Sequence, residues 1–298
     1  MRRPSNILLF GGSGQIGEAL RLCARMRTPD REVRAVPWPA LASDADEPPR
    51  LRAALDAVTR GWEAYDVVFA AGITDPAAPP EQLWRSNVAL PITVIEATSR
   101  REGVRYLTLG TVFELFPEFA QANPYVDSKR HLWRCLQAAG TLTRDRRVVH
   151  VRLHTVYGGR PKPHMFLGQM ITALCGGTQF RMSSGHQLRE YHHVQDVAGA
   201  LLAILDSESS FGAEPLVLSA GEPVHLVDLA RAVFEACGRP DLLKVGAIAA
   251  APSENERVRF PRSDAAVLPF YRDPLVGVAE YVRSECVKRS SMERRSDP

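Results

Sequence analysis

A tyrosine and a lysine four residues apart are the side chains in this sequence best suited to chemistry. Tyr125 and Lys129 lie in the run NPYVDSK, and on a helix this spacing places both side chains on one face. Lysine fills only 4 of the 37 basic positions of the chain, so a lysine here is an unusual choice. A compact ammonium can lower the pKa of a neighbouring phenol from its ordinary value of about 10. The pair therefore predicts proton transfer by Tyr125 with electrostatic help from Lys129.

A glycine-rich turn near the N-terminus predicts a dinucleotide site. The apolar run Asn6–Phe10 is followed by GGSGQIG and by an amphipathic stretch over residues 18–27, which is typical of strand, turn and helix. Glycines at this spacing let the backbone approach a pyrophosphate, which the amides at the helix N-terminus stabilise. The residues of this turn predicted to bind the cofactor are Gly11, Ser13, Gly14, Gln15, Ile16 and Gly17.

The second predicted strand, Val33–Val36, bears on the choice of dinucleotide. A dehydrogenase selective for NAD often ends this strand in an acid that binds the ribose diol, and no acid stands here. Arg34 could pair with a 2′-phosphate, or it could be a solvated strand residue. NADP is therefore favoured over NAD, with either allowed.

The alternation of strand and helix patterns predicts a doubly wound, parallel α/β sheet. Further strands are predicted at residues 66–72, 106–109 and 148–153, and helices at residues 51–60, 81–102 and 124–139. Residues 1–153 are thus predicted to form a dinucleotide-binding Rossmann domain. The stretch between Ala40 and Pro49 predicts a loop.

Beyond residue 153 the pattern loosens, which predicts a smaller C-terminal α/β region. Residues 154–288 are expected to form mainly the substrate-binding part, with chain crossings back to the Rossmann domain. Helices are predicted near residues 165–175, 194–205, 226–236 and 274–287. The polar residues 289–298 predict a disordered tail.

Composition narrows the class of protein. The chain has 298 residues, of which 45% are hydrophobic and 24% charged, enough to bury the core of one large or two modest domains. A net charge of +3 with dispersed arginines does not indicate nucleic-acid binding.

No spanning apolar segment or signal-peptide pattern is present, which predicts a cytoplasmic protein. Five scattered cysteines without a Cys-x-x-Cys, and histidines not spaced with carboxylates, predict neither disulfides nor a metal.

Six motifs in order carry a resemblance to a known family. They are Gly11-x-x-Gly14-x-x-Gly17, Ala70-Ala71-Gly72, Asn87, Pro124-Tyr125-x-x-Ser128-Lys129, Arg152-x-x-x-Val156-Tyr157-Gly158 and Arg189-Glu190-Tyr191-His192-His193-Val194-Gln195-Asp196-Val197-Ala198. From about residue 5 to 285 the chain resembles the extended short-chain dehydrogenase/reductases. Within them it looks like the NAD(P)-dependent epimerase/dehydratase group that acts on nucleotide-linked sugars.

The resemblance implies roles for particular residues. Tyr125 is expected to be the general acid or base at a sugar hydroxyl or ketone. Lys129 is expected to hold the nicotinamide ribose and to lower the pKa of Tyr125. The end of the third strand, with Ala70, Ala71 and Gly72, is expected to line the cofactor site.

The resemblance also implies contacts with substrate and a partner subunit. Arg189 matches an arginine that binds the diphosphate of a nucleotide-sugar, although it could instead pair with Glu190 at the surface. Asn87 is expected to hold the active-site helix or the sugar, although as an asparagine in a helix it could equally make a local polar contact. The helices at residues 81–102 and 124–139 commonly form a homodimer interface in the family.

The third catalytic hydroxyl is irregular. The family places a Ser or Thr where this chain has Leu109. Either Thr111 or Thr108 substitutes, or the hydroxyl is missing. Alternation along the strand puts residues 109 and 111 on one side, which favours Thr111 as a catalytic and substrate-binding residue.

The same segment bears on the reaction. Dehydratases of the family place an Asp-Glu pair directly after the catalytic Ser or Thr to eliminate water. In this chain Leu109 holds the position of that Ser or Thr, and Gly110 and Thr111 stand where the Asp-Glu pair would be. Related epimerase-reductases pair a cysteine in this segment with a later histidine; His164 could match the histidine and bind substrate, but residues 109–113 hold no cysteine.

The leading hypothesis is therefore NAD(P)H-dependent reduction of a nucleotide-linked 4-keto-6-deoxy sugar, with Tyr125 as proton donor. The alternatives are a nucleotide-sugar 4-epimerase with retained NAD, and a non-catalytic dinucleotide-binding sensor or scaffold.

Overall fold

The computed structural model describes residues 5–37, 48–140, 147–207, 214–250 and 259–296. The chain divides into two compact units. The first unit contains Met1–Leu153 and Val197–Leu218, and the second contains His154–Asp196 and Ser219–Pro298. The predicted loop between Ala40 and Pro49 lies almost wholly outside the described residues.

A six-stranded parallel sheet forms the centre of the first unit. Its strands are β1 (Asn6–Phe10), β2 (Val33–Val36), β3 (Tyr65–Phe69), β4 (Val104–Thr111), β5 (Val148–Leu153) and β10 (Leu216–Val217). Their order across the sheet is β2-β1-β3-β4-β5-β10, and every pairing is parallel. All residues of β3 and β4 are buried, as expected for a sheet covered on both faces. The prediction of a doubly wound parallel α/β fold is confirmed.

Helical segments follow the strands of this unit. They are α1 (Gln15–Arg27), α2 (Pro48–Val58), α3 (Pro80–Trp84), a π-helical turn (Arg85–Ala89), α4 (Leu90–Thr98), a 3₁₀ turn (Val112–Leu115), α5 (Pro117–Ala122) and α6 (Pro124–Ala138). Helix α8 (Val194–Asp206) begins in the second unit and ends in the first.

The helix predicted at residues 81–102 is found over residues 80–98, where it contains a π-helical turn between α3 and α4 and ends four residues early. Pro91 lies in the first turn of α4 and has no amide hydrogen to donate. Its ring would clash with the carbonyl of Asn87 in a regular helix, and a π turn removes this conflict.

The second unit contains short strand pairs and three further helices. The strands are β6 (Thr155–Tyr157), β7 (Phe180–Arg181), β8 (Leu188–Arg189), β9 (Tyr191–His193), β11 (Val224–His225) and β12 (Leu243–Lys244), and the helices are α7 (Phe166–Gly176), α9 (Leu226–Ala236) and α10 (Pro274–Ser296). Strand β6 pairs with β9, β7 with β12, and β8 with β11. Their apolar faces form one core that includes Ile171, Phe234 and Val282.

Helix α10 is longer than predicted. It continues to Ser296, whereas the polar sequence of residues 289–298 predicts a disordered tail. Lys288 pairs with Glu285 at 2.6 Å, and the hydroxyls of Ser290 and Ser291 bond to carbonyls one turn earlier. These contacts continue the helix beyond residue 287, where the apolar positions that predicted the helix end.

In the part of the chain that the structure describes, no helix combines the length and apolar character needed to span a membrane.

Candidate active site

The glycine turn between β1 and α1 is shaped by two positions that exclude side chains. Gly11 has a φ of +86°, and a Cβ atom there would collide with the backbone of Ala70 and Ala71. A Cβ on Gly17 would collide with the carbonyl of Gly11. The amide of Gly14 donates to the Gly11 oxygen at 3.0 Å, which closes the turn.

This turn presents the N-terminus of α1 at the carboxyl end of β1. Helix α1 begins at Gln15, so the amides of Gln15, Ile16 and Gly17 lie in its first turn, where helical N–H groups lack a partner within the helix. Ser13 and Gly14 are exposed beside them. Such an arrangement fits the pyrophosphate of a dinucleotide, because the free amides and the helix dipole both favour an anion.

Residues 70–72 connect the glycine turn to the lysine of the predicted pair. The amide of Ala70 donates to the Phe10 oxygen at 2.9 Å, which continues the sheet beyond β3. A Cβ on Gly72 would lie 3.3 Å from Nζ of Lys129 and 2.8 Å from Oδ1 of Asn87. The structure thus brings together the cofactor residues predicted from the first and third strands and the lysine predicted from α6.

Arg34 is engaged in contacts within the sheet edge. Its guanidinium pairs with Glu32 at 2.6 Å, donates to the carbonyl of Val58 and lies over the Trp62 ring at 4.3 Å from the centroid. These partners occupy the group that was expected to pair with a 2′-phosphate. The observation that favoured NADP is therefore weaker in the structure than in the sequence.

Helix α6 fixes the Tyr125 and Lys129 pair. Oδ1 of Asn123 caps the helix by accepting from the amides of Tyr125 at 3.0 Å and Val126 at 3.3 Å, and Pro124 occupies the first turn. Tyr125 is half-buried and Lys129 is buried. The predicted spacing therefore lies at the well-capped start of a helix, which fixes the backbone that carries both side chains.

Asn87 braces this helix. Its Oδ1 accepts from the Ile73 amide at 3.0 Å, while its Nδ2 donates to the Ile73 oxygen and to Oγ of Ser128, each at 2.9 Å. Both amide hydrogens are thereby used. Of the two roles predicted for Asn87, the geometry supports holding the active-site helix and not binding the sugar.

The two candidate hydroxyls have different environments. Thr108 is fully buried, and its Oγ1 lies 2.8 Å from Nδ1 of His150. Thr111 caps the 3₁₀ turn by accepting from the amide of Phe113 at 3.4 Å, so its own proton can still be donated. Thr111 stays the candidate for the third hydroxyl, and Thr108 instead belongs to a buried polar contact with His150.

Sequence reasoning missed a buried carboxylate beside this site. The side chain of Glu114 is wholly buried and accepts from the Thr111 amide at 2.7 Å, from Nε2 of His150 at 3.1 Å and from Nε of Arg152 at 3.1 Å. Burial alone would raise the pKa of Glu114, but the hydrogen bond and charge of His150, the Thr111 amide and Arg152 outweigh it and lower the pKa. The signal in the sequence was the spacing Thr111-x-x-Glu114, which is typical of a capping box.

The electrostatics of the pair differ from the expectation. Burial and the negative charge of Glu114 raise the pKa of Tyr125, so the expected lowering by Lys129 is not found. Burial also lowers the pKa of Lys129 to about 8, with Glu114 opposing this change. Burial removes the water that would stabilise a phenolate, and the negative charge of Glu114 disfavours the phenolate further, which explains why the pKa of Tyr125 is raised.

The remaining predicted residues lie in the second unit. Arg189 ends β8 and donates from Nη1 to the Leu188 oxygen at 2.7 Å. Glu190 is completely buried and accepts from His192 at 2.9 Å and from Ser219 at 2.7 Å, so it is not a surface carboxylate. His164 is exposed in the loop before α7, where its carbonyl accepts from Gln169 at 2.9 Å.

No group of three or more metal-binding side chains is found in the ranges that the structure describes.

A parallel sheet with a glycine turn after its first strand, and a tyrosine and lysine on the helix after its fourth, define a nicotinamide-dinucleotide enzyme of the short-chain type. Residues 7–218 match the sequence model of the NAD dependent epimerase/dehydratase family, and the chain belongs to this family.

Individual similarities are distant. CDP-abequose synthase of Salmonella muenchen is 20% identical over 177 residues, which make up 59% of this chain and 60% of that protein. The chain thus matches less than two thirds of the length of this curated relative. The structure of RMD from Pseudomonas aeruginosa complexed with NADPH is similar with a TM-score of 0.72 and 20% identity, covering 96% of this chain and 100% of that one.

The structure of dTDP-glucose 4,6-dehydratase from Bacillus anthracis in complex with NAD has a TM-score of 0.71 and 16% identity, and it covers 96% of this chain and 98% of that one. At these identities the two structures support the fold. Together with the family they support a nicotinamide dinucleotide as cofactor, and they include both NAD and NADPH.

Proposed function

We propose that this protein reduces the ketone of a nucleotide-linked 4-keto-6-deoxy sugar with NADH or NADPH. The observation that carries the proposal is the Tyr125 phenol, which lies one helical turn from Lys129 and whose pKa is raised by burial and by Glu114. A reductase needs a protonated donor at the start of each turnover, and this site favours that form. The similarity to CDP-abequose synthase supports a nucleotide-linked sugar as substrate.

Binding of the dinucleotide and donation of the proton are assigned to different residues. The glycine turn, residues 70–72 and Lys129 would hold the dinucleotide, which supplies the hydride when bound. Tyr125 donates its proton to the carbonyl oxygen as that oxygen gains negative charge. Lys129 then stabilises the phenolate that Tyr125 has become, because an ammonium offsets a negative charge strongly where water is excluded.

Three further residues have roles in the proposal. The Thr111 hydroxyl donates to the same substrate oxygen, since its proton is not used in the cap that it forms. Arg189 binds the diphosphate with a forked, permanently charged donor set. His164 contacts the sugar from the loop before α7. A homodimer formed through α3, α4 and α6 belongs to the same proposal.

The Tyr125→Phe variant tests the central role. Oxidation of NADH and NADPH is followed with a panel of nucleotide-linked 4-keto sugars, and dinucleotide binding is measured separately by fluorescence. Loss of the proton donor is expected to lower turnover by about 10²-fold or more while binding is retained. Equal turnover in the variant would contradict the assignment.

The same panel separates the alternatives. A 4-epimerase would interconvert nucleotide-sugars without net consumption of cofactor, and a sensor or scaffold would bind dinucleotide without hydride transfer to any sugar. The role of Arg34 in cofactor preference is tested by measuring kcat/KM with NADPH and with NADH in the wild type and in Arg34→Gln. If the ratio of the two values is the same in both proteins, Arg34 serves only the contacts seen here.

A further inference from the structure

A chain of buried polar groups lies beside the Tyr125 and Lys129 helix. Thr108 contacts Nδ1 of His150 at 2.8 Å, and Nε2 of the same ring lies 3.1 Å from Oε2 of Glu114. The carboxylate also accepts from the Thr111 amide at 2.7 Å and from Arg152 at 3.1 Å. Each oxygen of Glu114 therefore has a donor, and the side chain is fixed in one orientation.

The surrounding backbone leaves room for this carboxylate. A Cβ on Gly110 would collide with both Oε1 of Glu114 and Nε2 of His150. The parallel register of β4 and β5 places Thr108 opposite His150 and Gly110 opposite Arg152. Glycine at residue 110 is thus required where the carboxylate and the imidazole meet.

The carboxylate acts on the helix that carries the proton donor. Glu114 lies in the 3₁₀ turn after β4, which contacts α6, and its charge acts on both Tyr125 and Lys129. On the same helix Trp133 stacks on His150, with ring centroids 5.3 Å apart. The polar chain and the catalytic pair therefore face one side of α6 at successive turns.

Glu114 is the charged group found to act on the phenol, and it disfavours the phenolate. The partly exposed Arg152 lies 3.1 Å from Glu114 and offsets its negative charge. The hydrogen bonds to Glu114 keep it ionised at neutral pH. In a buried setting such a charge is expected to change the ionisation of the phenol about tenfold or more.

We propose that Glu114 is a positioning residue that keeps Tyr125 protonated, and so adapts the site to reduce ketones and not to oxidise alcohols. Reduction begins with a neutral phenol that gives up its proton. Oxidation, including the first half of an epimerisation, begins with a phenolate that accepts one. A fixed negative charge beside the phenol increases the share of protein that is ready for reduction and decreases the share that is ready for oxidation. This inference rests on the proposed function.

The Glu114→Gln variant tests the charge directly. Protein labelled with ¹³C at the tyrosine ζ carbons is titrated by NMR without substrate, and the Tyr125 signal is assigned from the Tyr125→Phe spectrum. At a fixed alkaline pH the phenolate fraction of Tyr125 is expected to rise about tenfold or more. The matched control is Glu96→Gln, which removes an exposed carboxylate from α4 and is expected to leave the titration unchanged.

A second variant covers the case in which Glu114→Gln fails to fold. Arg152→Gln removes a cation that offsets Glu114, so the phenolate fraction is expected to fall instead of rise. Opposite changes in the two variants support the proposal. A Tyr125 titration that is unaltered in the folded variants would overturn it.

The pH profile of catalysis gives an independent readout. In the Glu114→Gln protein the alkaline limb of kcat/KM for ketone reduction is expected to move to lower pH, because the donor loses its proton sooner. If ketones are reduced but neither the titration nor this limb moves, only the role of Glu114 is wrong. If the titration moves but no ketone in the panel is reduced, the proposed function fails and the directional bias with it.

Discussion

Opposite charges act on the Tyr125 phenol, and burial decides how strongly each is felt. Glu114 favours the neutral phenol, whereas an ammonium such as that of Lys129 is expected to favour the phenolate, and burial strengthens both effects. The pKa of Tyr125 is raised, so the phenol is the resting form. Lys129 is then most useful after the proton has left, when it stabilises the phenolate until a new proton arrives.

The stability of the protein is expected to carry a pH signature of Lys129. Its folded-state pKa of about 8 lies below the ordinary value of about 10.4 for an unfolded chain. The unfolded state binds more protons between these values, so stability rises with pH across this window. From about pH 7 to about pH 9 this residue is expected to add about 1 kcal/mol to the free energy of unfolding.

The Lys129→Met variant isolates this contribution in urea unfolding at the two pH values. The variant is expected to be more stable than the wild type at neutral pH, because it buries no charge, and to lack the added gain at alkaline pH. Equal pH dependence in both proteins would mean that Lys129 is well solvated in the folded state.

The part of the site that is local in the sequence could be predicted from it. Tyr125 and Lys129 share a helix face, and the glycine turn lies within one strand-turn-helix unit, so spacing alone defines both. Glu114 meets His150 only because β4 pairs with β5 in one register. Register is set by the whole sheet, and no short pattern in the sequence specifies it.

At the scale of elements, the interruption between α3 and α4 serves the site. The π turn contains Asn87, and the amide side chain reaches both Ile73 and Ser128 from there. The sequence predicted one long helix, since the helical periodicity continues through the turn. Pro91 was the signal for the interruption, because its ring conflicts with the carbonyl four residues earlier.

Replacing Asn87 with Ala is expected to destabilise the first unit by about 2 to 4 kcal/mol, because the peptide groups of Ile73 lose their partners. The matched control is Ser128→Ala, which removes one bond to Asn87 and is expected to cost about 1 kcal/mol. Urea unfolding of the two variants measures both costs. Equal costs would show that the contacts with Ile73 contribute little.

Three helices of the second unit bring together cysteines that are far apart in the sequence. Cys286 of α10 hydrogen-bonds with Cys175 of α7 and with Cys237, which follows α9. All three are free thiols, and Cys175 is exposed while the others are half-buried. Burial, followed by the neighbouring thiols, raises the pKa of Cys286 to about 12.

Alkylation should therefore proceed in order. Iodoacetamide near pH 8 is expected to modify Cys175 first and Cys286 at least about tenfold more slowly, because the thiolate is the reactive form. Peptide mass spectrometry over time gives the rates, and the urea-unfolded protein serves as the reference in which the difference disappears. Equal rates in the folded protein would contradict the burial of Cys286.

At the scale of the whole molecule, the chain passes between its two units at residues 153, 196 and 218. The first passage follows β5, which is where the pattern of the sequence loosens. The return to the sheet through α8 and β10 was predicted only as a crossing. Strand β10 has only two residues, which pair with Val151 and Arg152. Two residues are too few to show the alternation of apolar and polar side chains from which a strand is predicted.

Because the glycine turn belongs to the first unit, dinucleotide binding is expected to stabilise that unit. A ligand at about 100 times its Kd adds about 2.7 kcal/mol to the free energy of unfolding, which raises the Tm of a unit of this size by about 5 to 10 °C.

The Gly17→Ala variant tests this location of the binding site. Its new Cβ collides with the Gly11 carbonyl, so the turn must open and the increase in Tm with NADH or NADPH is expected to vanish. The matched control is Gly176→Ala in the second unit, where the new Cβ has no neighbour closer than 3.8 Å and the increase should remain. An undiminished increase in Gly17→Ala, measured by calorimetry, would mean that the dinucleotide binds away from the turn.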